Sequence, residues 1–594
     1  MDPYGVLPPQ NLPVRRRGRD RCWGAFVAVV GNGSAARMLR LLGVKAKRVK
    51  RLDGTTLRGV RTLLIERNWV QPGGTQHLAV RAFAATGGRV VMLEQESSLF
   101  PGLVLEAKPI STAFIRTPGH PILSGLGHDD LRDWGEDSYA QVVADTLVAA
   151  RMFRKDDGAA MLPLCESGEG GFGNGGLDHT PLFTTTIGAG LVIACQFLVT
   201  DKATEHPAAL RLFANLLAHA DTWKPAPAAA VVEAGDTDLR ALVKQAKAGA
   251  TVLVGPLDTA GLAAWSAATG VKLEPLPQDR CYQAVRAVDN ALTAGISNED
   301  ACGIETWTYC PGERANLPVC TLAIRPTTGL EPLWSLPTVA LLVEMFVHGG
   351  RSEPLRANTR TPSLHATPVD GIVTGVIRLG KGQVIIDQFT PPRGEDGVPK
   401  RIRLVRPGHR LRANLGVAPA HDLLHGELTA GSPAASKGWP TRLRIRHSAI
   451  DAATRTQLLT DCAFSPERML STPILGRGAW ETLDAPAGTF SSRPGEQWLY
   501  LVVNSPVARQ NLATNLGVPN PEALTFCDLS GAGKAELWIN GRPAAMAKLP
   551  GSLTDLALEQ GFNHLLLRWT GGNGTIGLKF RNIMRQAETE FGFA

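Results

Sequence analysis

Gly31, Gly33 and Asp53 have the sharpest chemical spacing in this chain. Val29-Val-Gly31-Asn-Gly33-Ser-Ala-Ala36 is a Gly-x-Gly-x-x-Ala turn between an apolar run and a helix-forming run. In that context backbone N–H groups can cradle a pyrophosphate, and Asp53 follows at about the spacing at which an acidic side chain meets a ribose. The same turn also opens a helix in any α/β domain, so a dinucleotide site and a plain structural turn both stay open. A second constellation is acidic: Asp129, Asp130, Asp133, Glu136 and Asp137 surround Trp134. Paired carboxylates about 5–9 Å apart can hydrolyse glycosides, whereas acidic residues at a helix start simply complement its dipole. Trp538 and Trp569 fall in alternating strands near the C-terminus. With Trp134 they are the candidates for stacking on sugar rings, and a core position is the competing role for each.

The residues of nucleophilic catalysis are missing from the places that would use them. After Val90-Val-Met-Leu93 the chain runs Glu94-Gln95-Glu96, with neither cysteine nor serine at the turn where an exposed nucleophile would sit. Cys195 falls inside an apolar strand and reads as core. His425-Gly-Glu427 lies beyond the last α/β segment. Gly168-Glu-Gly170-Gly-Phe-Gly173 repeats the glycine spacing without a strand before it or a helix after it, and reads as a loop. The nine cysteines include no Cys-x-x-Cys pair, which indicates neither a zinc site nor a disulfide framework. No cofactor or metal is expected.

These residues are carried by a run of α/β units. Apolar runs at 26–30, 61–66 and 89–93 read as buried strands, and 35–42 and 76–85 as helices between them, a pattern that predicts a doubly wound parallel sheet. Gly188-Ala-Gly190-Leu-Val-Ile-Ala-Cys-Gln196-Phe197 then reads as the second arm of a glycine hairpin, with a helix over 207–220 behind it. The hairpin recurs as Gly380-Lys-Gly382-Gln-Val-Ile-Ile-Asp-Gln388-Phe389. The stretch 120–130 aligns without gaps to 290–300, and Leu210–Leu216 resembles Arg410–Leu415. Three landmarks in one order predict tandem copies over 23–222 and 231–418, joined by a Pro/Ala linker at 223–230. Residues 1–22 form a basic Pro/Arg-rich arm. From 419 to 594 short alternating strands with turns such as Asn540-Gly541 predict a β-sandwich or jelly roll.

At 594 residues the chain needs several cores. Its 44% hydrophobic and 20% charged content is that of a globular protein, and no run is long enough to span a membrane. The net charge of +8 is concentrated in part between Arg15 and Arg21 and between Lys45 and Arg51, and no nucleic-acid signature accompanies it. No specific nucleic-acid binding and no membrane partner are expected, and nothing directs export, so the expected location is cytoplasmic.

The α/β units resemble the class I glutamine amidotransferase-like fold in its non-catalytic form, as found in β-galactosidase trimerisation domains and trehalose-utilisation-like proteins. The carrying residues are His120-Pro-Ile-Leu-Ser-Gly-Leu126, the Gly-x-Gly-x-Val-Ile hairpin with its glutamine, and the closing Asn-Leu helix. Ala535-Glu-Leu-Trp-Ile-Asn540-Gly541 and Gly561-Phe-Asn563 to Arg568 are similar to jelly-roll modules of family 2 glycoside hydrolases. That resemblance implies the accessory part of a glycosidase system, with carbohydrate or a glycosidase subunit as partner and homo-oligomerisation open. The (β/α)₈ barrel that carries such an enzyme's glutamates needs about 250 residues, and no such segment remains here. Two alternatives stand beside it: a nucleotide-dependent enzyme using Gly31, Gly33 and Asp53, and a glycosidase whose site is the acidic patch.

Overall fold

The computed structural model describes residues 27–593 apart from 136–145, 168–176, 226–229, 278–282, 304–317, 337–344, 355–370, 391–401, 425–441, 465–479, 506–524, 583–591 and several stretches of one to three residues. The arm at 1–22, the glycine-rich loop, Glu136, Asp137 and the His425–Glu427 motif lie outside the described residues. The chain forms two compact units: Met1–Pro225 with Glu395–Val398 and Pro419–Ala594, and Ala226–Gly394 with Pro399–Ala418. It combines mixed α/β sheets with an all-β part. Among the described residues, no helix is long and apolar enough to cross a membrane.

The first unit begins with β1 (Val27–Val30), α1 (Ala36–Leu41), β2 (Lys47–Arg48), β3 (Thr62–Ile65), α2 (Gln76–Ala85) and β4 (Arg89–Met92). There follow β5 (Leu105–Ile110), β6 (Phe114–Ile115), β7 (Ala149–Arg154), β8 (Leu162–Ser167), β9 (His179–Ile187), β10 (Gly190–Cys195), α3 (Val199–Lys202) and α4 (Pro207–Thr222). The main sheet runs β2-β1-β3-β4-β10-β9-β7-β5. It is parallel from β2 to β10 and antiparallel from β10 onward. Strict alternation along the strands sends Val29, Leu64, Val91 and Ile193 into a core shared with α1 and α4. The alternate residues Ala28, Leu63, Val90 and Val192 pack with α2 on the other face. Covered on both faces, these strands are apolar apart from Thr62 and Arg89 at the starts of β3 and β4. β2 is the exception, and its exposed Lys47 and Arg48 are tolerated because it is the edge strand.

The β9–β10 hairpin shows why its glycines are fixed. Gly188 has φ +57°, and a Cβ on Gly190 would collide with the backbone carbonyls of Ala84 and Gly88. Only glycine lets the turn rest on the end of α2.

The second unit contains β11 (Val231–Glu233), α5 (Leu239–Ala248), β12 (Thr251–Val254), α6 (Thr259–Thr269), β13 (Pro275–Pro277), β14 (Val285–Arg286), β15 (Leu322–Ile324) and β16 (Glu331–Ser335). After a separate hairpin of β17 (Met345–His348) and β18 (Arg351–Pro354) come β19 (Ile372–Leu379), β20 (Gly382–Asp387) and α7 (Arg406–Asn414). Its main sheet runs β11-β12-β20-β19-β15-β13, with β11, β12 and β20 parallel and β19 antiparallel to β20. Asp238 and Asp258 cap α5 and α6, and Gly270 ends α6 in the left-handed conformation. Gly380 has φ +58°, and a Cβ on Gly382 would strike the carbonyls of Ala250 and Ala246, the same geometry as in the first unit. Among the described residues this sheet ends at β11, with no equivalent of β1, α1 and β2.

The C-terminal part consists of β21 (Arg442–Arg446), α8 (Ala452–Phe464), β22 (Glu481–Asp484), β23 (Thr489–Ser492), β24 (Gly495–Ser505), β25 (Thr525–Ile539), β26 (Arg542–Leu553), β27 (Gly561–Gly571), β28 (Gly574–Asn582) and β29 (Gly592–Phe593). All pairings are antiparallel and join into one nine-stranded sheet. Continuity comes from β25. Its first half pairs with β28 and its second half with β27, the change falling at Gly531 and Gly533, both at positive φ. Leu499, Leu537, Leu567, Trp569 and Phe580 belong to its core. Just before this part, Leu423 and Leu424 are fully buried in the α2-side core of the first sheet, and Asp422 pairs with Arg81 at 2.8 Å.

Candidate functional site

The Gly31 turn has the backbone of a phosphate cradle, with φ +141° at Gly31 and +100° at Gly33. Its donors are already taken. Glu66, which directly follows β3 and is fully buried, accepts the Gly33 N–H at 2.6 Å through Oε2 and the Ala35 N–H at 3.1 Å through Oε1. Arg48 closes the arrangement, donating to the Gly31 carbonyl at 2.9 Å and to Glu66 at 3.2 Å. A Cβ on Gly31 would collide with the Glu66 side chain. Asp53 turns its carboxylate inward on its own loop, accepting the Thr56 N–H at 2.7 Å, a bond that lowers its pKa.

The three tryptophans lie in cores. Trp134 is 1% exposed, donates to the Asp130 carbonyl at 2.8 Å and stacks on His206 with ring centroids 5.7 Å apart. Trp569 is 2% exposed and bonds the Ala532 carbonyl; Trp538 is 9% exposed and stacks on Trp498 at 5.5 Å. Burial and these partners hold each of the three rings in a core. In the acidic patch, Asp130 accepts the Gly127 N–H at 2.7 Å and Asp133 pairs with Arg132 at 3.2 Å. The first caps a turn and the second is held in an ion pair.

The richest polar chemistry lies at the C-terminal ends of the parallel strands, the edge where open α/β sheets bind ligands. In the first unit, Gln196 Oε1 accepts the Gln95 N–H at 3.1 Å, and Gln95 Nε2 donates to the Glu66 carbonyl at 2.8 Å. Glu94 is fully enclosed, with Oε1 accepting both the N–H and the hydroxyl of Thr200 at 2.8 Å. Burial pushes its carboxyl up to about 7. Glu94 Oε2 and Gln196 Nε2 have no partner among the described residues. Cys195 is completely buried, and burial followed by the nearby Glu94 charge drives its thiol well above the usual range. A thiol held neutral and inaccessible is no nucleophile.

The second unit repeats the frame with different contents. Gln388 Oε1 accepts the Leu257 N–H at 2.7 Å, so Gln388 stands for Gln196 and Leu257 for Gln95. Counting back along each strand, Asp387 replaces Cys195, while Gly255 and Pro256 replace Leu93 and Glu94. Here a cavity of about 570 Å³ opens, lined by Gly255, Pro256, Thr321, Asp387, Thr390 and Arg412 among others. Asp387 Oδ1 accepts the Thr374 hydroxyl at 2.8 Å and the Phe389 N–H at 3.3 Å, and burial raises its pKa. No motif marks Glu66, Glu94 or Asp387 as a site residue. The available signal was positional, since each is an acid at the C-terminal end of a buried apolar strand.

No family model and no curated protein matches the chain. Among solved structures, it is similar to a β-galactosidase from Rahnella sp. R3 at 10% identity and TM-score 0.21, covering 34% of this chain and 32% of that one. A β-galactosidase from Bacillus circulans sp. alkalophilus is similar at 13% identity and TM-score 0.21, covering 34% and 32%. A ThuA-like protein from Bacteroides uniformis is similar at 11% identity and TM-score 0.23, covering 34% of this chain and 92% of that one. The chain thus spans about a third of the length of the β-galactosidases.

Proposed function

We propose that the chain is a non-catalytic accessory protein of a carbohydrate-processing system. On this reading it consists of two doubly wound amidotransferase-like scaffolds related by duplication, the second lacking the first strand-helix-strand segment, followed by a jelly-roll module. Its partner is a glycan or a glycosidase subunit. The observation that carries the non-catalytic part is the strand-end edge of the first unit, where the protein's own side chains occupy the reactive positions. Glu66 fills the glycine turn, Gln95 and Gln196 lock together, and Cys195 is sealed in the core. Duplication is supported by shared detail. Asn215 donates to the Ile122 and Ser124 carbonyls at 3.0 and 2.9 Å, and Asn414 donates to those of Leu292 and Ala294 at 3.0 Å each.

The carbohydrate assignment rests on the resemblance of the hairpin, loop and jelly-roll motifs to glycosidase accessory domains. Its test is retention on a glycan array together with co-purification with a barrel-type glycosidase subunit. A protein that showed neither would not be such an accessory.

A further inference from the structure

We propose that the cavity at the C-terminal ends of β12 and β20 is a binding site for a small polyhydroxylated molecule of the monosaccharide class, recognised through the Asp387 carboxyl. This deepens the accessory reading and rests on it for the choice of sugars. Four observations carry it.

The first is a contrast within one chain. At equivalent positions the first unit has Leu93, Glu94 and Cys195, all buried, whereas the second has Gly255, Pro256 and Asp387 around an open space. Removing two bulky side chains and introducing an acid is the change that turns a packed edge into a polar pocket.

The second is the state of Asp387, which is only 8% exposed. Oδ1 is fixed by Thr374 and Phe389, so the carboxyl cannot rotate freely. Among the described residues no hydrogen bond reaches Oδ2, which lies 3.5 Å from the position of a Cβ built on Gly408, another residue of the cavity wall. Asp387 and Gly408 both line the cavity, so Oδ2 is placed where it can accept a ligand hydroxyl.

The third is the rest of the wall. Thr321 and Thr390 add small hydroxyl-bearing side chains, and Phe389 and Leu253 add apolar surface for the carbon face of a ring. His409 and Arg412 also line the cavity, so its charge does not favour a cation and an amine is the poorer donor for Asp387. The fourth is size, since about 570 Å³ falls within the ~300–1,000 Å³ typical of small-molecule sites.

Two variants test the site in the full chain. Asp387→Asn keeps the Oδ1 acceptor for Thr374 and Phe389 while replacing the free carboxylate oxygen. Gly255→Leu restores the side chain found at Leu93; a Cβ at Gly255 meets nothing within 4 Å, so the plug has room to enter. Titration calorimetry uses glucose, galactose, mannose and glucuronate as free sugars, and disaccharides of each as chain ends. The expected result is binding of at least one sugar, weakened about tenfold or more in Asp387→Asn and abolished in Gly255→Leu, with unchanged melting temperatures. Binding of the free sugars alone identifies a monosaccharide pocket, and binding of disaccharides as well identifies a chain-end pocket. Equal binding by all three proteins, or no binding by wild type at high millimolar sugar, overturns the proposal. The accessory reading is scored separately by the glycan array and co-purification. If wild type and Gly255→Leu are retained equally there while calorimetry is silent, the cavity proposal fails and the accessory reading stands.

Discussion

The carboxylate of Glu66 accepts the backbone N–H of Gly33 at 2.6 Å, at the turn whose glycine spacing most resembles a nucleotide cradle. A carboxylate from the neighbouring strand thus occupies the place an external phosphate would need. Glu66→Ala leaves two N–H groups without their acceptor and should cost about 2–4 kcal/mol, measured by urea unfolding. Wild type should give no heat with NAD, NADP or FAD at millimolar concentration. Saturable heat would show that Glu66 can be displaced and would restore the cofactor reading.

Glu94 makes stability depend on pH in a recognisable direction. Its carboxyl titrates near 7 in the folded protein because burial disfavours its charge, against an ordinary value of 4.5. Between those values the folded state holds a proton that the unfolded state has lost, so this group's contribution falls as pH rises from about 4.5 to 7. Glu94→Gln keeps an acceptor for Thr200 and stays uncharged. Its stability relative to wild type should therefore grow across that window, reaching about 2–3 kcal/mol above pH 7. A pH-independent difference would mean that Glu94 is not buried as a neutral acid.

His120 and His219 act in the opposite sense. Their rings are 4.8 Å apart, and burial lowers both to about 4, with the His219 charge also lowering His120. The unfolded state gains protons first, so stability is lost as pH falls from about 6.5 toward 4. Replacing both histidines by glutamine should flatten the acid limb of the melting-temperature profile, and an unaltered limb would assign it to other groups.

Glu166 is 1% exposed and is held by Lys155 at 2.9 Å and by Arg116. Glu166→Ala strands a buried ammonium and should destabilise the first unit by about 3–5 kcal/mol in denaturant unfolding. A loss below about 1 kcal/mol would show that water reaches Lys155 readily.

The matching hairpins predict matching sensitivity. Gly190→Ala and Gly382→Ala each drive a methyl into backbone carbonyls at the end of a helix. Each should cost about 1–3 kcal/mol or more. Limited proteolysis should show the loss confined to the mutated unit, and tolerance in only one would break the structural equivalence.

Much of the fold was legible because its signals are local. The buried strands and helices from Val27 to Met92 follow from apolar runs punctuated by glycine, and the repeated Gly-x-Gly and Gln-Phe spacing marks both hairpins. The basic stretch near Lys47 is too polar for a central strand, and β2 accordingly lies at the sheet edge. The site was less legible because its decisive contacts join distant residues. Gly33 and Glu66 are 33 positions apart, and nothing local distinguishes Glu66 from any other acid after a strand. Tryptophan facing depends likewise on pairing register, which placed Trp569 in a core.

Leu423 and Leu424 have a consequence for how the chain is made. They are buried in the core built around β1, β3 and β4, yet the second unit, residues 226–394 with 399–418, is encoded before them. A ribosome must therefore synthesise about 200 further residues after α4, some 10–40 s at ordinary elongation rates of about 5–20 residues per second, before that core can receive its last leucines. For that interval the core on the α2 side lacks two of the leucines that complete it.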